Sequence, residues 1–341
     1  MPGTFYKETD ILVRELAKKK VLFLTHVRPD LDTLASAYAL THFLGQHTPC
    51  EWGIVKKLND SYTQRISDFT LQPLLVEKLD SYDVVVCVDF RSPVQAGPLE
   101  DALVRFNGKI IILDHHHPSG NEFSKKTIQL IRPSSVAVAQ MVAQIGIELD
   151  ADFTKPVASA LAMAILTDSA RFTVANTETF TIMGMLLEKS GKTFEQLSLK
   201  AIPPQELENN VSVFHALRQT KLFGVGKYLL AQADAPYHNA PSANALIQLG
   251  ADVALGIFSS TEGLFCTVRV SGRAHSVLQL DAMKILLPLA QKNGGNCGGH
   301  ARAAQLNLPP YLSESIVTDA FTRELLMRVC KTDPKARVRI Y

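Results

Sequence analysis

Cysteine is scarce in this sequence and forms no recognisable motif. The five cysteines are odd in number and widely spaced, with no Cys-x-x-Cys pair. Zinc ribbons and disulfide frameworks need closely paired cysteines, so this spacing argues against both. A reducing compartment is the default for such a chain, and we expect a cytoplasmic protein.

Strong charge bias and long apolar runs are absent as well. The formal net charge is only +2 over 341 residues, whereas proteins that follow long nucleic acids usually carry a marked basic surface. Short or small phosphorylated substrates fit this balance at least as well. No apolar run approaches the roughly 20 residues that cross a bilayer. The first residues do not combine a basic region with an apolar one, so we expect no signal peptide and no membrane partner.

Alternation of apolar runs with helical patterns dominates the first half of the chain. Three runs, beginning at Val21, Tyr82 and Lys109, are continuously apolar and predict strands buried on both faces. Helices are predicted between and after them, including one capped by Asp32 or Thr33 and others over 134–145 and 156–166. Strands that alternate with helices predict an α/β fold, here a doubly wound and mostly parallel sheet.

The length exceeds what one core usually supports and predicts two domains. We place the first domain at residues 1–186 and a helical linker, broken by Gly191 and by Pro203-Pro204, at 187–220. Residues 221–341 are predicted to form a second, smaller α/β domain. Its expected strands are 228–233, 252–258 and 264–270, and its expected helices are 241–249 and 277–291.

Acidic and imidazole side chains cluster where the predicted strands of the first domain end. In open parallel sheets, ligands bind at the carboxyl ends of the strands. Carboxylates gathered there would repel one another unless cations lay between them. Oxygen and imidazole ligands without thiolates suit Mn²⁺, our first expectation, or Mg²⁺, with Zn²⁺, Co²⁺ or Fe²⁺ as alternatives. Two such ions can activate water and stabilise a phosphoryl group. The residues are His26, Asp30, Asp32, Asp89, Asp114, His115, His116 and Asp168.

These residues stand in a pattern that resembles the DHH phosphoesterase superfamily. The segment His26-Val-Arg-Pro-Asp30-Leu-Asp32 is similar to its first motif, and Asp114-His115-His116 to the motif that names it. Asp89 and the segment from Leu166 to Phe172 are similar to two further motifs. Thr33, Ala35 and Ala170 replace an Ala and two Gly residues usual in the family, and none of these changes removes an expected ligand.

The resemblance implies a role for each residue. One ion would be held by His26, Asp30 and Asp89, and a second by Asp32, Asp89, His115 and Asp168, so that Asp89 bridges them. Asp114 would orient a neighbouring imidazole, and His116 would contact the substrate phosphate or support the site. Catalytic roles are thus implied for Asp89, Asp114, His115 and His116. We expect His117 and the isolated histidines to be structural, namely His42, His47, His215 and His238.

A second group of residues lies in the C-terminal half. Glycines from Gly294 to Gly299 predict a tight turn whose backbone N–H groups could meet a phosphate, with a helix after it. Ser271 and Arg273, together with Gly298, Gly299 and His300, resemble the paired motifs of the DHHA1 domain. That resemblance implies that these five residues bind the non-scissile phosphate or the terminal end of a substrate, a task suited to the planar guanidinium of Arg273.

The combined resemblance covers residues 10 to 310 and implies a nanoRNase-like enzyme. Such an enzyme would hydrolyse dinucleotides or short RNA or DNA oligonucleotides to nucleoside monophosphates, with removal of the 3′-phosphate of adenosine 3′,5′-bisphosphate as an added activity. The alternatives are a RecJ-like single-strand exonuclease, a nucleotide-binding regulator without catalysis, and a small-molecule phosphatase. No obligatory protein partner is evident, and a homodimer stays open.

Overall fold

The computed structural model describes residues 7–116, 123, 127–201, 207–235 and 239–341. It divides the chain into two compact units, residues 1–203 and 204–341. The expectations for His117 and His238, and the part of the predicted linker at 202–206, lie outside the described residues.

The first unit is built on a sheet of six parallel strands. Their order is β3-β2-β1-β4-β5-β6, and each neighbouring pair is parallel. The order reverses between β1 and β4, which is where open α/β sheets form their ligand-binding crevice. The strands are β1 (Val21–Leu24), β2 (Cys50–Ile54), β3 (Leu74–Leu75), β4 (Val84–Val88), β5 (Lys109–Asp114) and β6 (Ile128–Ile131).

Both faces of this sheet are covered, which explains the unbroken apolar runs. In β1, Val21 and Phe23 pack into the larger core, while Leu22 and Leu24 pack into a smaller core on the opposite face. The smaller core is closed by a 3₁₀ segment, Pro93–Leu99, and by one helix. The predicted doubly wound, mostly parallel α/β fold is confirmed for this unit.

Eight helices of the first unit lie within the described residues. Two of them, the seventh and eighth, fall wholly or partly in the region predicted as a linker, and Leu197 and Ala201 of the eighth are buried in the larger core. The helices are α1 (Lys7–Leu16), α2 (Leu31–Leu44), α3 (Asp60–Arg65), α4 (Glu100–Arg105), α5 (Val138–Glu148), α6 (Lys155–Asp168), α7 (Thr177–Ser190) and α8 (Phe194–Ala201).

The cap of α2 differs from the expectation. Asp30, and not Asp32 or Thr33, is the N-cap, because its carboxylate accepts the backbone N–H of Thr33 at 3.0 Å. Asp32 therefore lies inside the first turn of the helix, with its side chain buried.

The second unit is a mixed α/β structure, as expected. Its seven strands have the order β11-β12-β10-β9-β8-β7-β13, and only β8 and β9 pair in parallel among the described pairs. The strands are β7 (Lys221–Val225), β8 (Tyr228–Asp234), β9 (Val253–Ser259), β10 (Leu264–Val270), β11 (Asn296–His300), β12 (Ala303–Leu308) and β13 (Val338–Ile340).

Helices cover both faces of this sheet. Alanines of α9 and α10 pack on one face, and α11 to α13 contribute to the core on the other. The helix expected at 277–291 is interrupted, because Gln279 adopts a left-handed φ of 54° and ends α11. The helices are α9 (Leu207–Arg218), α10 (Asn239–Gln248), α11 (Gly272–Leu278), α12 (Ala282–Lys292) and α13 (Ser315–Val329).

The glycine-rich segment begins in a turn at Asn293 and Gly294 and then continues as a strand, with no helix after it. Asn296 to His300 form β11 at the edge of the sheet and pair antiparallel with β12. The helix α12 precedes the glycines, so the predicted helix after them was wrong. Hairpin pairing with β12 supplies the hydrogen bonds that make an extended glycine run stable.

Candidate metal centre

Five elements of the first unit bring the predicted acidic and histidine side chains together, and one of them is α2, whose first turn contains Asp32. His26 and Asp30 follow β1, and Asp89 follows β4, so they flank the position where the strand order reverses. Asp114 ends β5, directly before His115 and His116. Asp168 is the last residue of α6.

The side chains form three overlapping groups, and in each group the three ligand atoms lie within 4.8 Å of one another. The groups are His26 with Asp30 and Asp89, Asp32 with His115 and Asp168, and Asp89 with His115 and His116. Asp89 is shared by two of them. The first group contains the three residues expected around one ion, and the second contains three of the four expected around the other. Their roles as ligands stay predictions.

The Asp32 carboxylate is held by the start of α5. Its Oδ2 accepts the backbone N–H of Val138 and its Oδ1 that of Ala139, both at 2.7 Å. These donors fix the orientation of a carboxylate that is almost fully buried. Burial raises the pKa of Asp32 well above its usual range, and the nearby carboxylates of Asp89 and Asp168 raise it further.

His115 is oriented with one nitrogen toward the carboxylates. Its Nδ1 lies 3.1 Å from the carbonyl oxygen of Ser135, so this nitrogen carries the proton. Nε2 is then unprotonated and has a free lone pair. It lies 3.2 Å from a carboxylate oxygen of Asp168, 3.7 Å from one of Asp89 and 3.9 Å from one of Asp32. Burial lowers the pKa of His115 and keeps the ring neutral.

Buried polar atoms without hydrogen bonds show that the site fits a cation. Among the described residues, Asp89 Oδ1, Asp114 Oδ2 and His115 Nε2 are buried and have no hydrogen-bond partner. Buried polar atoms are nearly always paired, so Asp89 Oδ1 and His115 Nε2, which are both electron-rich and lie 3.7 Å apart, call for a positive ion beside them. The donors are carboxylate oxygens and imidazole nitrogens, which suit divalent cations such as Mn²⁺.

Backbone geometry at two acids adds to this electrostatic cost. Asp89 has a left-handed φ of 63°, a conformation that strains a side-chain-bearing residue and concentrates at functional sites. Asp168 ends a helix, where the helix dipole disfavours a negative charge. Burial and the nearby Asp30 raise the pKa of Asp168 to about 6.

Asp114 and His116 form a charged pair at the rim of the site. Burial alone would raise the pKa of Asp114, but hydrogen bonds from the ring and backbone of His116 and from the backbone of His115 lower it. The hydrogen bond to Asp114 in turn raises the pKa of His116 to about 9. The His116 side chain is 60% exposed, so a protonated imidazole is presented to solvent beside the metal-binding groups.

Several positioning groups have no signature in the sequence. The carbonyl of Ser135 and the amides of Val138 and Ala139 are backbone atoms, which any residue would supply. Arg91 is a side-chain example: it is buried and donates from Nη1 to the carbonyl oxygen of His116 at 3.1 Å. In the sequence, only its position two residues after Asp89 indicated that Arg91 belongs to the site.

The turn after Asp168 is strained over three consecutive residues. Ala170, Arg171 and Phe172 have φ values of 49°, 55° and 66°. The turn is held by the packing of Phe172 against Phe180 and Phe194, with ring centroids 5.3 and 5.8 Å apart. A glycine is usual in the resembling motif at Ala170, and the left-handed backbone explains why.

Comparison with known protein families agrees with this geometry. The model of the DHH family, N-terminal domain, matches residues 20–165, and the model of the DHHA1 domain matches residues 226–320. The chain belongs to the DHH family, with a DHHA1 domain after the DHH domain. It is therefore a DHH-family phosphoesterase, a class of hydrolases that use divalent metal ions.

Relatives of this DHH protein share modest sequence identity. An uncharacterized protein of Methanocaldococcus jannaschii, MJ0988, is 24% identical over 89% of this chain and 92% of its own. The bifunctional oligoribonuclease and PAP phosphatase NrnA of Mycoplasma pneumoniae is 24% identical over 51% of this chain and 54% of its own. The chain thus matches about half the length of that relative.

A solved structure shares the whole fold. The exopolyphosphatase-related protein of Bacteroides fragilis superimposes with a TM-score of 0.71 at 17% identity, over 98% of this chain and 100% of that one. At this identity the likeness concerns the fold alone.

Among the residues that the structure describes, no helix is both long and apolar enough to cross a membrane.

In the DHHA1 domain, Ser271 and Arg273 surround a buried acid. Ser271 caps α11, and its hydroxyl donates to Asp252 at 3.2 Å. Arg273 donates from Nε and Nη2 to the two oxygens of Asp252, at 3.0 and 2.7 Å, and from Nη2 to the carbonyl of Lys227. The guanidinium is thus already engaged on one side, and its role in substrate binding stays a prediction.

Gly298, Gly299 and His300 lie together on the edge strand β11. A Cβ on Gly299 would lie 2.3 Å from the carbonyl oxygen of Ala303, whereas one on Gly298 would meet nothing within 4 Å. Gly299 is therefore required by strand pairing, and Gly298 is open to a ligand. His300 is exposed. The substrate-binding roles of these three residues also stay predictions.

Proposed function

We propose that this DHH protein is a metal-dependent phosphodiesterase that hydrolyses dinucleotides or short oligonucleotides to nucleoside monophosphates. The observation that carries the proposal is the set of buried, unpaired carboxylate and imidazole atoms that converge at the strand-order reversal. The near-neutral charge of the chain favours a short substrate over a long strand.

The proposed ligands for two divalent ions are His26, Asp30, Asp32, Asp89, His115 and Asp168, and Mn²⁺ is the proposed metal. Such ions supply Lewis acidity that activates water and stabilises charge on a phosphoryl group. The residues that hold them are pre-oriented: Asp32 by two backbone amides and His115 by the Ser135 carbonyl. Loss of the hydrogen bonds that orient these ligands is expected to weaken binding of the ions.

His116 has a separate proposed role. Its imidazole is held protonated by Asp114 and is exposed to solvent at the rim of the centre. A protonated ring there can donate a hydrogen bond to a phosphate oxygen, or a proton to the departing oxygen of the nucleoside. Arg91, through the carbonyl of His116, keeps this segment in place.

A second activity is proposed for the same site. Removal of a phosphate from adenosine 3′,5′-bisphosphate needs the same metal-binding groups and a smaller substrate. Its support is the relative from Mycoplasma pneumoniae, which is described as both an oligoribonuclease and a PAP phosphatase.

The test is a matched panel of substrates with metal-stripped protein to which Mn²⁺ is restored. The panel contains linear diadenylate, cyclic di-adenylate, a five-mer RNA, a long single-stranded DNA, adenosine 3′,5′-bisphosphate and pyrophosphate. We expect metal-dependent loss of diadenylate and the five-mer, with the long strand spared. Processive digestion of the long strand would instead support a RecJ-like exonuclease, and binding without turnover a regulator. Turnover of the bisphosphate or pyrophosphate alone would make the protein a small-molecule phosphatase.

A further inference from the structure

A basic pocket lies beside the metal centre in the DHH domain. It has a volume of about 410 Å³, and its wall includes Arg28, Lys56, Lys57, Asn59 and Tyr62. None of the residues in its wall is acidic. All of the residues in its wall belong to the DHH domain.

The three cationic side chains of this pocket carry uncompensated charge. Arg28, Lys56 and Lys57 are exposed, and none of them forms an ion pair with a described residue. Most solvated lysines stand alone, but three cations around one concave volume raise the local concentration of anions. The ligand that this pocket fits is an anion.

The position of the pocket ties that anion to the metal centre. Arg28 lies between His26 and Asp30, two of the proposed metal ligands, and Lys56 and Lys57 follow β2. Because β2 is the parallel neighbour of β1, both loops emerge at the same edge of the sheet, from strands that lie about 4.8 Å apart. A molecule whose scissile phosphate lies at the centre can therefore extend into the pocket.

We propose that this pocket binds a second, uncleaved phosphate group of the substrate. The inference rests on the proposed function and narrows it to dinucleotides that carry a terminal phosphate in addition to the scissile one. It leaves to the DHHA1 residues the other role implied for them, which is to bind the terminal end of the substrate. A nucleobase over the ring of Tyr62 is the rival occupant. Since nucleobases are neutral, the three cations favour a phosphate.

The test compares diadenylate with its 5′-phosphorylated and 3′-phosphorylated forms. Wild-type kcat/KM is expected to be about 10- to 100-fold higher for one phosphorylated form than for plain diadenylate, the size of about one charge-assisted hydrogen bond. In the Lys56→Gln/Lys57→Gln variant that preference should fall by about 10-fold, while plain diadenylate changes by less than about 2-fold.

Lys18→Gln/Lys19→Gln is the matched control. These two adjacent lysines are also exposed, precede β1 at the opposite edge of the sheet and carry the same charge. The control should keep the wild-type preference. An equal preference in both double variants would overturn the inference, as would wild-type protein that does not discriminate between the dinucleotides. Competitive inhibition by inorganic phosphate equal to that by a phosphorylated dinucleotide would show that the pocket serves a free anion, which also contradicts it.

Equilibrium binding separates this inference from the proposed function. If no dinucleotide is hydrolysed, the proposed function fails, and calorimetry with the Asp89→Asn protein then decides on the pocket. Tighter binding of a phosphorylated dinucleotide than of plain diadenylate, lost when Lys56→Gln/Lys57→Gln is added, supports the pocket. Equal affinities overturn it.

Discussion

Nδ1 of His116 lies 2.8 Å from Oδ1 of Asp114, and the same oxygen accepts the backbone N–H groups of His115 and His116. One buried carboxylate thus fixes both the path of the chain and the proton on the exposed ring. The pair connects the end of β5 with the rim of the metal centre.

The Asp114→Asn variant tests this relationship. An amide can keep the shape but cannot hold the imidazole in its charged form, so we expect kcat/KM on a dinucleotide to fall by about 10- to 100-fold. The pKa of His116, followed by NMR titration, should fall from about 9 toward its ordinary value. A normal rate together with an unchanged titration would contradict the role of Asp114.

Asp89 gives a prediction in which stability and activity move in opposite directions. Burial and the neighbouring Asp30 raise the pKa of Asp89 well above its usual range. Asn tolerates the left-handed φ of this position and carries no charge. The metal-free Asp89→Asn variant is therefore expected to have a higher free energy of unfolding than the metal-free wild type, by about 1 kcal/mol or more.

The activity of the same variant should fall by more than roughly 100-fold. A loss of about 10- to 100-fold is typical when a residue that only orients a metal ligand is changed, and Asp89 is a proposed ligand itself. Added Mn²⁺ should also stabilise the Asp89→Asn variant less than it stabilises the wild type. Thermal unfolding with and without Mn²⁺ measures both effects. Asp80→Asn is the control, because this exposed acid precedes β4 at the opposite edge of the sheet. Equal metal stabilisation in wild type and Asp89→Asn would rule out a bridging role.

The pH dependence of metal-free stability follows from His116. Its pKa is raised to about 9 from an ordinary 6.5, so its contribution is complete below pH 6.5 and is lost as the pH rises through 9. Burial lowers the pKa values of His26 and His115, so both rings are neutral in the folded protein throughout this window. In the unfolded protein they lose their charge just above pH 6.5, so over most of the window their charge is the same in both states.

Stability of the metal-free protein should therefore fall between about pH 6.5 and pH 9. Since the side chain is 60% exposed, solvent screening limits the loss to about 1 kcal/mol. Urea unfolding at a series of pH values in the presence of a chelator measures it. The His116→Asn variant should lack this part of the slope; a slope identical to that of wild type would assign the effect to other groups.

Much of the first domain could be predicted because its sheet is buried on both faces. The runs that form β1, β4 and β5 are apolar throughout, and acids or histidines mark where each strand ends. β2 and β6 were missed because their burial is partial and their apolar signal short. The rule that ligands bind at the carboxyl ends of parallel strands was sufficient to predict that His26, Asp89 and His115 lie close together.

Details set by backbone contacts could not be predicted in the same way. Asp30 and Asp32 both have the chemistry of a helix cap, and only the hydrogen bond to Thr33 shows which one serves. The donors that fix Asp32 are backbone amides of α5, over 100 residues away in sequence. The glycine run could equally have been a turn, because pairing with β12 is decided by tertiary structure.

Two adjacent glycines of the DHHA1 domain should respond differently to the same substitution. Gly299 has a φ of 134°, and a Cβ there would lie 2.3 Å from the carbonyl oxygen of Ala303 and 2.6 Å from Cα of Ala304. Neither backbone atom can move without breaking the β11–β12 hairpin. Gly299→Ala is therefore expected to lower the free energy of unfolding by about 2–4 kcal/mol, through backbone strain and overpacking.

Gly298→Ala is the matched partner of that variant. A Cβ on Gly298 meets no atom within 4 Å, so its stability should stay within about 0.5 kcal/mol of wild type. If this open position faces the substrate, the methyl group should raise KM for a dinucleotide and leave kcat nearly unchanged. Denaturant unfolding and steady-state kinetics of the two variants separate the cases. Destabilisation by Gly298→Ala as large as by Gly299→Ala would mean that β11 needs both glycines for its pairing, and an unchanged KM would remove Gly298 from the proposed substrate contacts.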